Sequence, residues 1–339
     1  GAGTMDRRDF LKFLALGGTG AALLKGDFAF AGIDTDLQGD ANANNTINTL
    51  FDSWSSQVMF QRKPYRYPYG VSHPQVTKRR LNTVLGAIKS YGLSTGVEWN
   101  VRYTDSRIRP ESLENVDVYV SLTRYINQPN PPPVGTGFSY GDSELAALED
   151  FVSQGGGILL MSDHGATEEI PNWTENDAAL ASVFGITLRN IFVTHIDPEH
   201  PDRPEYMVMK MDPDLPEDAS YLANQVAHVS AHDSCIMLPP PEFTPLVKFP
   251  EGSTAFDIAV KHDIELPNHY FSILVPYGQG KVIVVGNSGM VGDYGSPDPA
   301  PGLITVENNL MFFLNCVTYL AGHTCIPEPG QGPCDFFTF

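Results

Sequence analysis

Between residues 142 and 167 the period of the apolar positions changes. Leu145, Leu148, Phe151 and Val152 recur at helical spacing behind Asp142, which is placed to cap the helix. Gly155 to Gly157 break that helix, and Ile158 to Met161 then run apolar without polar alternation. A strand with no polar face is expected to be covered on both sides, as in a parallel sheet. Its carboxyl end carries Ser162, Asp163, His164 and Gly165, and in open α/β sheets ligands bind at that edge.

The same alternation of strand and helix runs to either side. Gln57 to Lys63 reads as a first strand, and Pro74 to Gly92 as a helix burying Leu81, Val84, Leu85 and Ile88. Trp99 to Tyr103 and Val116 to Leu122 are further strands. Downstream, Thr174 and Asp177 form a capping pair for a helix carrying Leu180, Val183 and Phe184, stopped by Gly185. Residues 190–250 lose the pattern to prolines and acidic residues and read as an irregular insertion. Thr244 to Phe249, Phe256 to His262, Tyr270 to Pro276 and Lys281 to Val285 read as strands. Thr305 caps a last helix that buries Leu310, Phe313, Leu314 and Val317 and ends at Gly322. This order predicts a flavodoxin-like α/β fold, a three-layer sandwich with a mostly parallel sheet. On that topology His73, Arg124, Asp163, His164 and Asn287 are expected to converge on one sheet edge as ligand-binding residues.

Two stretches carry a resemblance. The pattern of Phe151 and Val152, three glycines, a short apolar strand, then His164, Ala166 and Thr167 is similar to the core of class I glutamine amidotransferase-like proteins, in particular the ThuA-like branch. GKVIVVGNSGMVGD followed by VENNLMFFLNCVTYLAG resembles the closing strand and helix of exported, uncharacterised members of that superfamily. The resemblance implies one amidotransferase-like domain over residues 57–322 with the insertion at 190–250. True amidotransferases place a cysteine nucleophile on the turn after the central strand, whereas this turn offers Ser162, Asp163 and His164. Glutamine hydrolysis by that route is therefore not expected, and the fold by itself supplies no reaction.

Residues 1–31 change the expected compartment. Arg7, Arg8, Phe10, Leu11 and Lys12 precede an apolar stretch from Phe13 to Leu24 and small residues at Ala29 and Ala31, which resembles a twin-arginine signal peptide. Gly1 to Thr4 stand before the first methionine and read as a cloning remnant or a misassigned start. The expectation is a periplasmic or extracellular protein, folded before export and beginning near Gly32, with no membrane span in the mature chain. The formal net charge is −19; without residues 1–31, 17 basic residues stand against 37 acidic ones, about −20. Such a balance argues against nucleic acid as a partner. Residues 32–56 read as a polar arm in which Asp34, Asp36 and Asp40 loosely imitate a calcium loop without its closing glutamate.

Four cysteines in an exported chain suggest disulfides, and four allow three pairings. The preferred set joins Cys325 to Cys334 across the Pro- and Gly-rich tail, residues 323–339, leaving Cys235 with Cys316. Among candidate metal ligands, His195, Asp197 and His200 mix imidazole and carboxylate in a way that suits a divalent ion, above all if joined in space to Asp163 and His164. His228 and His232 have zinc-protease spacing, but Val229 stands where the glutamate belongs, and an extended segment would simply give them one polar face. Ser162 and Ser288 are hydroxyl nucleophiles in want of a base, with Asp163 and His164 the nearest candidates. Three functions stay open: an exported binding or accessory protein for a small molecule or carbohydrate, a metal-dependent or serine hydrolase at the same edge, and a structural subunit of an extracellular assembly, with a homo-oligomer as one form.

Overall fold

The computed structural model describes residues 46–53, 81–95, 97–104, 106–124, 139–164, 174–195, 207–257, 262–264, 266, 270–293 and 302–323. The stretch read as a signal peptide, the calcium-like residues Asp34, Asp36 and Asp40, the expected strand at 57–63 and Cys325 and Cys334 lie outside them. The described strands are β1 (Thr46–Phe51), β2 (Glu98–Tyr103), β3 (Val118–Leu122), β4 (Gly157–Met161), β5 (Thr187–Thr194), β6 (Met207–Lys210), β7 (His228–Ala231), β8 (Ser234–Leu238), β9 (Thr244–Lys248), β10 (Thr254–Asp257), β11 (His262–Ile264), β12 (Tyr270–Tyr277) and β13 (Gly280–Val285). Four helices accompany them: α1 (Asn82–Thr95), α2 (Asp142–Ser153), α3 (Thr174–Val183) and α4 (Asn309–Leu320).

Seven strands form the main sheet in the order β2-β1-β3-β4-β13-β12-β9. The first five are mutually parallel; β12 runs antiparallel to β13, and β9 antiparallel to β12. The parallel part has flavodoxin-like order, with β13 as its fifth strand. The segment read as a polar arm ends in β1, an interior strand of this sheet, so ordered structure begins earlier than the pattern of polar residues suggested. Three threonine and asparagine side chains among the six residues of TINTLF disguise it as linker.

The pleat sorts the core into two layers. In β4, Ile158 and Leu160 face α2 and α3, whereas Leu159 and Met161 face α1 and α4. In β13, Val282 and Val284 share the first side, Ile283 and Val285 the second. Both faces of these strands are buried, as their uninterrupted apolar runs required. Leu81, just before α1, and Val84 and Ile88 on it are buried as expected, and Leu85 is partly buried. Helix α2 is capped by Gly141 rather than Asp142: the Glu144 carboxylate accepts the Gly141 N–H at 3.0 Å, and Asp142 is the first helical residue. Gly185 and Gly322 close α3 and α4 at φ +73°, a conformation that costs glycine little.

The weakly patterned stretch contains short strands. β11, β10, β5 and β8 form a four-stranded antiparallel sheet, β6 pairs with β7, and β9 joins the main sheet. β5 slips register against β8 between Arg189 and Val193, which explains why no clean alternation could be read there. His228 begins β7, so the HxxxH pair is not helical, and Ser230 is fully buried against Asn309 rather than on a polar surface.

The disulfide expected between Cys235 and Cys316 is absent; both are free, buried thiols. Cys235 packs in the layer with α2 and α3, and Cys316 in the layer with α1 and α4, so the sheet stands between them. Cys325 and Cys334 lie outside the described residues.

Candidate functional site

Four strands deliver polar residues to one edge. Asp52 follows β1; Thr123 and Arg124 follow β3; Ser162, Asp163 and His164 follow β4; Asn287 and Ser288 follow β13. All eight are buried. Thr123 is held at φ 50°, with its N–H donating to the Met161 carbonyl at 2.8 Å and its hydroxyl 3.0 Å from the same oxygen. That pins the end of β3 against the end of β4.

On one side of the edge lies an ion network centred on Arg124. Its Nε donates to Asp52 Oδ2 at 2.9 Å, and its Nη2 and Nη1 donate to the two Glu144 oxygens at 2.9 and 3.3 Å. The guanidinium lies 3.3 Å from the centroid of the Tyr140 ring. Tyr119 donates to Asp52 at 2.8 Å, and Tyr140 to Ser121 at 2.9 Å. Burial alone would lower the Arg124 pKa, but Asp52 leads the neighbours that hold it well above its ordinary value. Burial would raise Glu144, yet the Arg124 hydrogen bond and charge keep its carboxyl below the usual range. A buried planar fork shared between two carboxylates fixes geometry. Arg124, expected among the ligand-binding residues, is 0 % exposed at this edge, with its guanidinium paired to Asp52 and Glu144.

Asp177 links this network to the other side. It accepts the Arg124 N–H at 3.2 Å and the Ser162 hydroxyl at 3.0 Å. Its carboxyl therefore braces two strand ends instead of capping α3, while Thr174 donates to the Asp163 carbonyl at 3.0 Å. Burial pushes the Asp177 pKa up to about 8.

The second cluster joins Asp163, His164 and Asp233. One ligand-type atom from each lies within 4.8 Å of the others, the only such group of three among the described residues. His164 Nε2 stands 3.9 Å from Asp163 Oδ1 and 4.0 Å from Asp233 Oδ2. Asn287 Nδ2 bridges the carboxylates, donating to Asp233 Oδ1 at 2.7 Å and Asp163 Oδ1 at 3.4 Å. Asp163 also accepts the His164 N–H at 2.8 Å and the Ser288 hydroxyl at 3.1 Å. The His164 ring meets Phe192 edge-on at 5.1 Å. Burial raises the Asp163 pKa despite the His164 charge. Burial likewise raises Asp233 to about 7, opposed by His164 and reinforced by Asp163. The charge of His232 also acts on Asp163.

The approach of Asp233 to Asn287 depends on a glycine. The Cys235 N–H donates to the Gly286 carbonyl at 3.3 Å, bringing the start of β8 against the end of β13. A Cβ on Gly286 would collide with the Ser234 hydroxyl.

Of the hydroxyl candidates, Ser162 gives its proton to Asp177 and Ser288 to Asp163, while Ser288 accepts from Thr123 at 3.0 Å. Neither hydroxyl donates to an imidazole, the arrangement that activates a serine. A thiol does reach this region from another strand. Cys235 is hydrogen-bonded to Ser162, but burial pushes its pKa far above the thiolate range of neutral pH. His195 follows the last residue of β5 and is not in the Asp163 group, so of the two clusters the described residues bring only Asp163 and His164 together. His73, Asp197 and His200 lie outside them.

Asp233, Asp177, Asp52 and Glu144 were not singled out as site residues. Asp52 obeys the rule that found Asp163, a polar residue at the carboxyl end of a buried strand, and was hidden because β1 reads as part of a polar arm. Asp233 sits in a loop between two short strands, where periodicity carries no signal.

No family model matches the chain, and no curated protein matches it. Among solved structures, the mmIFT52 N-terminal domain is similar at 15% identity with a TM-score of 0.51, covering 81% of this chain and 97% of that one. A protein described as ThuA-like from Bacteroides uniformis aligns at 13% identity and TM-score 0.41, covering 83% and 94%. A cytoplasmic protein from Salmonella typhimurium aligns at 12% identity and TM-score 0.46, covering 81% and 99%. At this distance the first likeness supports the fold and no more.

Proposed function

We propose that the chain is an exported binding protein on a glutamine amidotransferase-like, ThuA-like fold, with its ligand site at the carboxyl edge of the sheet around Asp163, His164, Asp233 and Asn287. One observation carries this reading. Two carboxylates, bridged by Asn287, meet an imidazole at the sheet edge, while the turn after β4 carries Ser162, Asp163 and His164 in place of a cysteine. The thiol in this region is sealed and protonated, and both hydroxyls are bonded to carboxylates. Binding needs only a complementary ligand, one that offers positive charge or hydroxyl donors to buried carboxylates. Export rests on Arg7, Arg8 and the apolar stretch behind them.

The test is a thermal-shift screen of the tag-free chain against divalent cations, neutral mono- and disaccharides and glutamine, with an assay for ammonia release. The reading expects a shift with a cation or a sugar, lost in both Asp163→Ala and His164→Ala, and no ammonia. A shift that persists in both folded variants, or glutamine turnover, would overturn it.

A metal-dependent hydrolase at the same edge is the second reading. The spacing of the three ligand-type atoms favours it. Turnover that requires the cation would separate it from binding alone.

A further inference from the structure

Resting on the binding reading, we propose that Asp163, His164 and Asp233 form a three-residue site for one divalent first-row transition-metal ion, zinc or manganese, with its remaining positions open to solvent or to a small ligand. The donor set is the first argument: one imidazole nitrogen and two carboxylate oxygens suit these ions, whereas magnesium and calcium prefer oxygen alone.

Charge is the second argument. Among the described residues no lysine or arginine forms an ion pair with Asp163 or Asp233; the His164 imidazole faces both, and the charge of His232 acts on Asp163. The one buried guanidinium at this edge, that of Arg124, is spent on Asp52 and Glu144. A divalent ion would supply positive charge to the buried carboxylate of Asp163 and the partly buried one of Asp233.

Geometry is the third. Ligands about 2.1 Å from a tetrahedral ion lie about 3.4 Å apart. The separations of 3.9 and 4.0 Å thus need a contraction of about half an ångström, within reach of side-chain rotation. The surroundings already orient the ligands. Asn287 holds one oxygen of each carboxylate, Ser288 holds the second oxygen of Asp163, and Asp233 Oδ2 is left facing His164. Such supporting bonds typify metal sites. The Asp233 side chain is also the most exposed of the three, at 16 % against 8 % and 7 %, which gives the ion a way in.

Equilibrium dialysis of the tag-free full chain with Zn2+ and Mn2+, followed by elemental analysis, tests the site. One ion per chain is expected for at least one of the two metals. Asp233→Asn and His164→Gln should each weaken binding at least about tenfold, and Asp142→Asn, an exposed control, should not. Circular dichroism checks that the variants fold. Should they not, Co2+ binding to the unaltered chain provides a visible absorption spectrum that reports nitrogen and oxygen ligation directly. Failure of both metals to bind, or binding that is unchanged in both folded variants, overturns the proposal. If saccharides shift the melting temperature while no metal binds, the metal site fails and the binding reading stands; if neither acts, both fail.

Discussion

Asn287 donates to Asp233 over 2.7 Å, and that bond ties the loop between β7 and β8 to the carboxyl end of β13. Because the same amide reaches Asp163 at 3.4 Å, one neutral side chain spaces two carboxylates that would otherwise repel each other. Asn287→Ala should therefore lower metal affinity by about 10- to 100-fold, the usual effect of removing a group that orients ligands. Dialysis of the variant beside the parent chain measures this, and an unchanged affinity would show that the carboxylates need no such spacer.

Arg124 offers a sharper test of stability. With 0 % exposure and two carboxylate partners, its replacement by Met takes away the guanidinium that Asp52 and Glu144 share, leaving Glu144 its pair with the half-exposed Arg107 and Asp52 the hydroxyl of Tyr119. Arg124→Met is expected to cost about 3–5 kcal/mol in urea unfolding. Arg124→Lys should recover little, because a point charge cannot span both partners as the fork does. A loss below about 1 kcal/mol would contradict the network's structural role.

The pH dependence follows from Asp177. Its carboxyl binds a proton in the folded chain up to about pH 8, whereas an unfolded aspartate releases it near pH 4. The folded state thus holds more protons across that interval, so this contribution to stability is full below about pH 4 and is lost as pH rises towards 8. Asp177→Asn should flatten the curve, making the variant relatively more stable at pH 9 than at pH 5. One proton accounts for at most about 1.4 kcal/mol per pH unit. Urea unfolding at several pH values measures it, and parallel curves for parent and variant would remove Asp177 as the cause.

Cys235 and Cys316 lie on opposite sides of the sheet, and burial raises the pKa of each thiol. Neither should react with an alkylating reagent under native conditions, and both should react in denaturant. Non-reducing peptide maps should contain no link between them; finding one would contradict the layer assignment.

The sequence and the structure agree where side-chain periodicity is strong. β4, with all five residues buried, and α2, with a continuous apolar stripe, were legible because burial on both faces or on one stripe leaves a mark in the order of residues. β1 was not, since Thr46, Asn48 and Thr49 interrupt its apolar positions and their partners come from distant strands: Asn48 bonds Asp117, and Thr49 bonds Trp99. Asp163 and His164 could be placed by the edge rule alone. Their partner Asp233 could not, because its position depends on a β8 to β13 contact that no local pattern encodes. Arg124 could be placed on this edge, but its partners could not. Strand order says where a side chain starts, and only the buried acids of β1 and α2 decide where its charge ends.

The account depends most directly on Asp163, His164 and Asp233 acting as one site. Crystals of the chain grown with zinc, with anomalous diffraction recorded at the zinc edge, would decide it. The account predicts one strong peak about 2.0–2.2 Å from His164 Nε2 and from an oxygen of each aspartate. No peak there under saturating zinc and none at the manganese edge in crystals grown with manganese, or a peak held only by other residues, would contradict it.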